Sequence, residues 1–238
     1  MDYKSIQVEH RRRTGVITLN RPDKRNAISI AMRQEISECL GIWRDDPGIG
    51  VVIFTGTGEI FSAGFDLEEF QHPEKFAELY QSSARYHRDI WNFPKPTIAA
   101  INGAAVGGGF DLATLCDLRL CSNNAFFGHP EIKFGAPPIF TPLQKIVGHG
   151  PARDLCLTGR RIDAEQALRI GLVSEVVSSE MILKKALQVA DGLLEAPAPT
   201  LQYVKQVFLE NSRDFEESFL LEHDRAFREI ILKGGNLD

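Results

Sequence analysis

The spacing of apolar and polar positions changes several times along the chain, and each change marks an element. Residues 5–9 and 15–20 are short runs flanking His10-Arg11-Arg12-Arg13, which predicts two strands in a hairpin-like start with a solvated, basic end. After Ser29, a residue suited to cap a helix, Met32, Ile36, Cys39, Leu40 and Trp43 recur at helical spacing, so this helix buries one stripe. Residues 51–55 are a continuous apolar run, the pattern of a strand covered on both faces. Strand, helix and strand with short links predict an α/β arrangement. Residues 73–92 form a polar helix in which Phe76, Leu79, Tyr80, Tyr86 and Trp91 supply a buried stripe.

The stretch from Lys95 to Glu131 is denser. Pro94 and Pro96 hold the residues before them extended, and the β-branched, apolar run 97–101 therefore predicts a strand, broken by Asn102-Gly103. Gly107-Gly108-Gly109 follow, and residues 110–117 carry apolar side chains at 112, 113, 115 and 116, a helical spacing. Residues 118–121 and 125–127 read as further strands, and 132–140 as a loop interrupted by Pro137 and Pro138. Asp163 with Gln166 predicts a capping box, and Gly171 closes that helix before a strand at 172–177. The remainder is helical at about 179–194, 198–212 and 214–233, punctuated by Pro197 and Pro199.

A net charge of −5 argues against nucleic-acid or anionic-membrane partners. No apolar run approaches the roughly 20 residues of a membrane span, and the amino terminus lacks a signal pattern, so a cytoplasmic protein is expected. The four cysteines, Cys39, Cys116, Cys121 and Cys156, show no CxxC spacing and read as reduced thiols. No metal site is expected, because the six histidines show no ligand spacing with cysteines or acid pairs. Gly56-Thr57-Gly58 invites a dinucleotide-binding reading, but Phe61 stands where the third glycine would fall, so that reading is set aside.

The glycine triplet points to chemistry. A helix that begins on backbone without side chains is costly in conformational entropy and lets another group approach its unpaired N–H groups and positive dipole end. Asp111, three residues past Gly108, stays near that mouth. By itself Asp111 could simply stabilise the helix start, and Glu131 could be a solvated loop residue.

The run NGAAVGGGFDLATLCDLRLCSNNAFFGHPEIKFG resembles the signature region of the crotonase family, the enoyl-CoA hydratase and isomerase superfamily. LNRPDKRNAIS (19–29), VVIFTGTGEIFSAGFDLEEF (51–70) and LTGRRIDAEQALRIGLVSEVV (157–177) match further family landmarks in the same order. The resemblance implies a crotonase-like spiral of ββα units over residues 1–178 and a C-terminal helical trimerisation region over 179–238. It implies a homotrimer or a hexamer built as a dimer of trimers. The substrate would be an acyl-CoA thioester, with coenzyme A as part of the substrate and no separate cofactor.

By the same resemblance the amides of Phe65 and Gly108 form an oxyanion hole. Asp111 and Glu131 fall on the two acid positions, and Lys24, Arg25, Ala27, Ala63, Phe65, Asp66 and Leu67 fall on the CoA-binding segments. The implied reaction is reversible addition of water to an α,β-unsaturated acyl-CoA. Double-bond isomerisation, thioester hydrolysis and decarboxylation are the alternatives within the superfamily, and a non-catalytic CoA-binding scaffold is the alternative outside enzymology.

Three departures from the family pattern stand out. Asp111 is one methylene shorter than the usual glutamate, about 1.5 Å of reach. Pro138-Ile139-Phe140-Thr141 replaces a glycine-rich segment, which narrows the pocket beside Glu131 and points to a specialised acyl group, cyclic or dienoyl. The usual basic tail contact to the CoA phosphate is absent or replaced after Gly234-Gly235-Asn236.

Overall fold

A computed structural model describes residues 2–211 and 213–231. Strands β1 (Ile6–Arg11) and β2 (Thr14–Leu19) pair antiparallel from Ile6↔Leu19 to Arg11↔Thr14, the hairpin that the sequence predicts. Ser29 caps α1 (Ile30–Asp45) by accepting the Met32 N–H at 3.2 Å, and the anticipated apolar stripe is buried. Then come β3 (Val51–Gly56), β4 (Ile60–Ser62), α2 (Phe76–Trp91), β5 (Thr97–Ile101), β6 (Ala104–Val106), α3 (Gly108–Leu115), β7 (Leu118–Ser122) and β8 (Phe126–Gly128). After a 3-10 turn at Pro130–Phe134 the chain forms α4 (Thr141–Val147), α5 (His149–Thr158), β9 (Ile162–Asp163), α6 (Ala164–Arg169), β10 (Glu175–Val177), α7 (Ile182–Leu193), α8 (Ala198–Glu210) and α9 (Arg213–Arg225). Helix α9 continues as a π-turn over Ala226–Ile231.

Six strands form one sheet in the order β1-β2-β3-β5-β7-β10, parallel from β2 onward. A second sheet runs β4-β6-β8-β9, with β9 antiparallel to β8. Thus β3, β5 and β7 each hand the chain to a short strand of the second sheet before the next helical segment, which is the spiral of ββα units expected from the resemblance. The large sheet is covered on both faces, as the apolar run at 51–55 requires. Val51 and Ile53 face Ile182, Ala186 and Ala190 of α7, while Val52 and Phe54 enter the main core with Phe61 and Phe110.

Several elements differ from the sequence reading. Strands β4 and β6 are three residues long, too short to display a period. Helix α3 begins at Gly108, two residues earlier than the apolar spacing indicates. Helices α4 and α5 occupy residues between 141 and 158 where no element was assigned. Strand β10 is shorter than 172–177, because the Leu172 and Val173 amides fold back onto the Ala167 carbonyl after Gly171. The capping box at Asp163 and Gln166 is present in both directions. All four cysteines are free and buried, and burial pushes each thiol up to about 12. Among the described residues no helix is long and apolar enough to cross a membrane. The expected end of the last helix and the tail after Gly234 lie outside the described residues.

Asn26 makes three side-chain bonds that hold the loop between β2 and α1. Asn26 sits at φ 53°, accepts the Arg21 N–H at 3.0 Å, and donates to Thr57 and Ile60 carbonyls at 2.9 and 2.8 Å. It therefore locks this loop to the β3–β4 turn. Asn26→Gly keeps the left-handed backbone but deletes all three bonds, and is expected to cost about 2–4 kcal/mol at roughly 0.5–1.5 kcal/mol per bond. Denaturant unfolding followed by circular dichroism measures it.

Candidate active site

The segment that follows β4 lies alongside the loop that precedes α1. Ala63 donates its N–H to the Arg25 carbonyl at 3.0 Å, Ile28 to Gly64 at 2.8 Å, and Asp66 to Ile28 at 3.3 Å, which makes Ile28 and Phe65 a parallel bridge. The carbonyl of Gly64 and the amide of Asp66 face Ile28, so the amide of Phe65, alternate in an extended segment, faces away from that neighbour.

What lies on that other side is the start of α3. Gly64 has φ 95°, and a Cβ there would sit 2.9 Å from the Val106 carbonyl and 3.2 Å from the Gly108 nitrogen. A Cβ on Gly108 would in turn meet the Phe65 ring at 2.6 Å. The two turns are in backbone contact, and the Phe65 and Gly108 amides belong to neighbouring stretches of it. Gly108 is the first residue of α3, so its N–H has no carbonyl one turn back to pair with.

Two carboxyl groups stand at the same mouth. Asp111, in the first turn of α3, is only 5% exposed, donates its amide to the Gly107 carbonyl at 3.0 Å, and has an Oδ1 with no partner. Burial holds its carboxyl well above the usual carboxylate range. The nearby Glu131 and Glu222 charges push the same way, and His129 opposes them. Glu131 leads into the 3-10 turn after Pro130, and its Oε1 bonds His129 Nδ1 at 2.8 Å. Its Oε2 is buried without a partner and lies 3.1 Å from where a Gly107 Cβ would be. Buried polar atoms without partners are uncommon in folded proteins, and three of those found here, on Asp111, His129 and Glu131, gather at one helix mouth.

Around these groups α2 and α9 build a wall. His87 is stacked on Phe65 at 5.8 Å, and Ser83 bonds His223 Nε2 at 2.8 Å. The Tyr86 hydroxyl and His87 Nε2 are buried without partners. Glu222 of α9 accepts the amides of Phe140 and Thr141, so α9 fastens the segment that leads into α4. Ile139 and Phe140 pack partly buried against the core.

The residues expected to meet CoA fall on two adjoining stretches beside Phe65. Lys24 pairs with Glu68 at 2.6 Å, Asp66 with Arg21 at 2.8 Å, and the Ala27 carbonyl accepts from Arg21 at 2.7 Å. Arg25 is exposed, Leu67 is 65% exposed, and Ala63 is partly buried against Arg25. The structure thus brings Asp111 and Glu131 to one mouth, and Phe65 and Gly108 to one contact. Sequence reasoning missed His129, Glu222 and Asn26. His129 carried a usable signal, since it stands two residues before Glu131 and next to a proline that holds it extended. Glu222 carried none, being 91 residues farther along the chain than Glu131.

The chain is similar to known proteins in both sequence and fold. The family described as enoyl-CoA hydratase/isomerase matches residues 9–235. A probable enoyl-CoA hydratase of Mycobacterium bovis is 37% identical over 223 residues, covering 92% of this chain and 85% of that protein. A hydroxycinnamoyl-CoA hydratase-lyase of Pseudomonas fluorescens is 34% identical over 216 residues, 87% of this chain and 78% of that one. The crystal structure of an enoyl-CoA hydratase/isomerase from Xanthobacter autotrophicus Py2 has a TM-score of 0.87 at 31% identity, covering 98% of this chain and 88% of that one.

Because the Asp111 carboxyl is raised on folding, its contribution to stability is fully present below the ordinary aspartate value of about 3.9 and is lost as pH rises above it. Asp111→Asn removes that loss at nearly the same shape. The variant is expected to melt above the parent protein at pH 7, with the difference vanishing as pH falls toward about 4. Thermal unfolding across that range checks it.

Proposed function

We propose, for a chain that belongs to the enoyl-CoA hydratase/isomerase family, that this protein adds water reversibly across the α,β double bond of an acyl-CoA thioester. The observation that carries this reading is the pair of carboxyl groups at the mouth of α3, Asp111 buried and Glu131 partly buried, beside two backbone stretches in contact at Gly64 and Gly108.

In this reading the thioester oxygen lies against the amides of Phe65 and Gly108. Charge grows on that oxygen when water adds at the β-carbon, and fixed donors stabilise it because they need no reorganisation. Removing one such donor typically costs about 2.7–4 kcal/mol. The dipole of α3 acts in the same direction. Glu131 is the main acid and base. It takes a proton from the water whose oxygen bonds the β-carbon and gives a proton back to the α-carbon, so Glu131 returns to its starting form and one water is consumed per double bond. Asp111 positions the water, and its protonated form can donate a hydrogen bond. The shorter aspartate is accommodated if substrate and water lie deeper toward α3.

Lys24, Arg25, Ala27, Ala63, Phe65, Asp66 and Leu67 then line the CoA, which enters as part of the substrate. For the acyl group we favour a cyclic or dienoyl chain. Bulk from Ile139 and Phe140, packed against the core and held by Glu222, supports this, as do the unpartnered Tyr86 hydroxyl and His87 Nε2 in the wall. We also place the protein in the cytoplasm, supported by four unpaired cysteines, and in a trimer or hexamer. Exposed Tyr203, Val204 and Phe208 on α8 support the assembly.

One observation favours a second reading. Burial favours the neutral form of Asp111, which leaves Glu131 to shuttle a proton alone, and one such group is all that a double-bond isomerase needs. Two variants separate the readings. Glu131→Gln is expected to lower hydration by about 100- to 10,000-fold. Asp111→Ala is expected to lower it on the order of 100-fold, followed by the ultraviolet absorbance of conjugated acyl-CoA esters. An Asp111→Ala protein that keeps most of its turnover and only moves the double bond would overturn hydration in favour of isomerisation.

A further inference from the structure

We propose that His129 is a positioning residue of this site. By holding Oε1 of Glu131 it leaves Oε2 as the oxygen that faces the reacting water. The inference rests on the reading of Glu131 given above and adds a residue and a division of labour between the two carboxylate oxygens.

The contact is short and its histidine is buried. His129 Nδ1 lies 2.8 Å from Glu131 Oε1, and the imidazole is 0% exposed. Its ring is clamped by Phe110, stacked at 4.8 Å with 27° between planes. Phe110 lies in α3 beside Asp111, so the helix that carries one acid orients the histidine that holds the other.

Glu131 needs such a clamp. Its side chain has three rotatable bonds and starts from a five-residue 3-10 turn, where no backbone N–H is bonded to its carboxylate. With Oε1 taken, the remaining oxygen has no partner and lies against Gly107, whose carbonyl accepts the Asp111 amide. That is the side on which Asp111 and the Gly108 amide stand.

The charged groups around His129 agree with this role. Glu131 faces it from its own turn, Asp111 from α3 and Glu222 from α9, while Cys156 of α5, beside the same acids, is held neutral by burial. Burial lowers the imidazole, but the Glu131 bond and the acid charges outweigh it and leave His129 above its ordinary value. In the tautomer that donates to a carboxylate the proton sits on Nδ1 in both protonation states, so His129 in that form orients without entering the proton balance.

His129→Phe keeps the ring and its stacking but removes the donor, and His129→Asn restores a donor where Nδ1 stood. Steady-state kinetics on the enoyl-CoA ester that the parent enzyme hydrates should show kcat lower by about 10- to 100-fold in His129→Phe, with KM within about threefold. His129→Asn should recover to within about tenfold of the parent. A second readout needs no turnover. Imidazole titration by nuclear magnetic resonance, with His129 assigned by its absence from His129→Asn, should show its pKa falling when Glu131 is replaced by Gln. An unchanged His129 titration in Glu131→Gln, or parental kcat in His129→Phe, overturns the proposal. If the parent protein hydrates no ester, the functional reading fails and the titration alone decides whether His129 holds Glu131.

Discussion

The backbone at Gly64 runs so close to Gly107 and Gly108 that no side chain fits between them, and the site depends on that contact. A methyl group at Gly64 would press on the Val106 carbonyl, and one at Gly108 would enter the Phe65 ring. Two turns from different strands can bring main-chain donors to one place only when both lack a Cβ there. The ββα spiral makes this possible, because β4 and β6 are parallel neighbours and deliver their following turns to the same edge of the small sheet. Asn26 then ties the loop before α1 to the β3–β4 turn, from which β4 runs to the Phe65 segment.

The second constraint is electrostatic. Asp111 and His129 are withdrawn from water, Glu131 is partly so, and one polar atom on each is buried with nothing to bond. Such an arrangement weakens the fold, since an unmet buried polar group costs about 1–3 kcal/mol. Folded proteins tolerate it where another molecule completes the bonds. The environments also push the groups apart. Burial favours the neutral form of Asp111, while the neighbouring acids favour the charged form of His129. Two carboxyl groups with different neighbours can therefore play different parts at one pH.

Much of the large sheet was legible along the chain. Apolar runs at 51–55 and 97–101 and the hairpin around Arg11 to Arg13 correspond to observed strands, because continuous burial leaves a continuous apolar record. The three-residue strands of the small sheet were not legible, since their pairing is decided by neighbours distant in sequence. Helices α4 and α5 escaped for another reason: glycines and prolines at 142, 148, 150 and 151 read as turn signals. For the site, the glycine triplet announced a close approach, and Asp111 could be placed near it by helix geometry. What physics along the chain could not do was bring Glu131 to Asp111 or Phe65 to Gly108. Family resemblance supplied those pairs. His129 left a signal in its place before Pro130 and Glu131, but the bond to that acid is made at a 3-10 turn, where no regular period predicts it.

The claim that most depends on this geometry is that one thioester oxygen is shared by amides from two turns. A crystal structure of the protein with a slowly reacting acyl-CoA ester tests it most directly. The account predicts the thioester oxygen within about 3 Å of both the Phe65 and Gly108 nitrogens, with Asp111 and Glu131 facing the carbons beside it. A thioester oxygen bound elsewhere, or either acid turned away from the acyl chain, would contradict it.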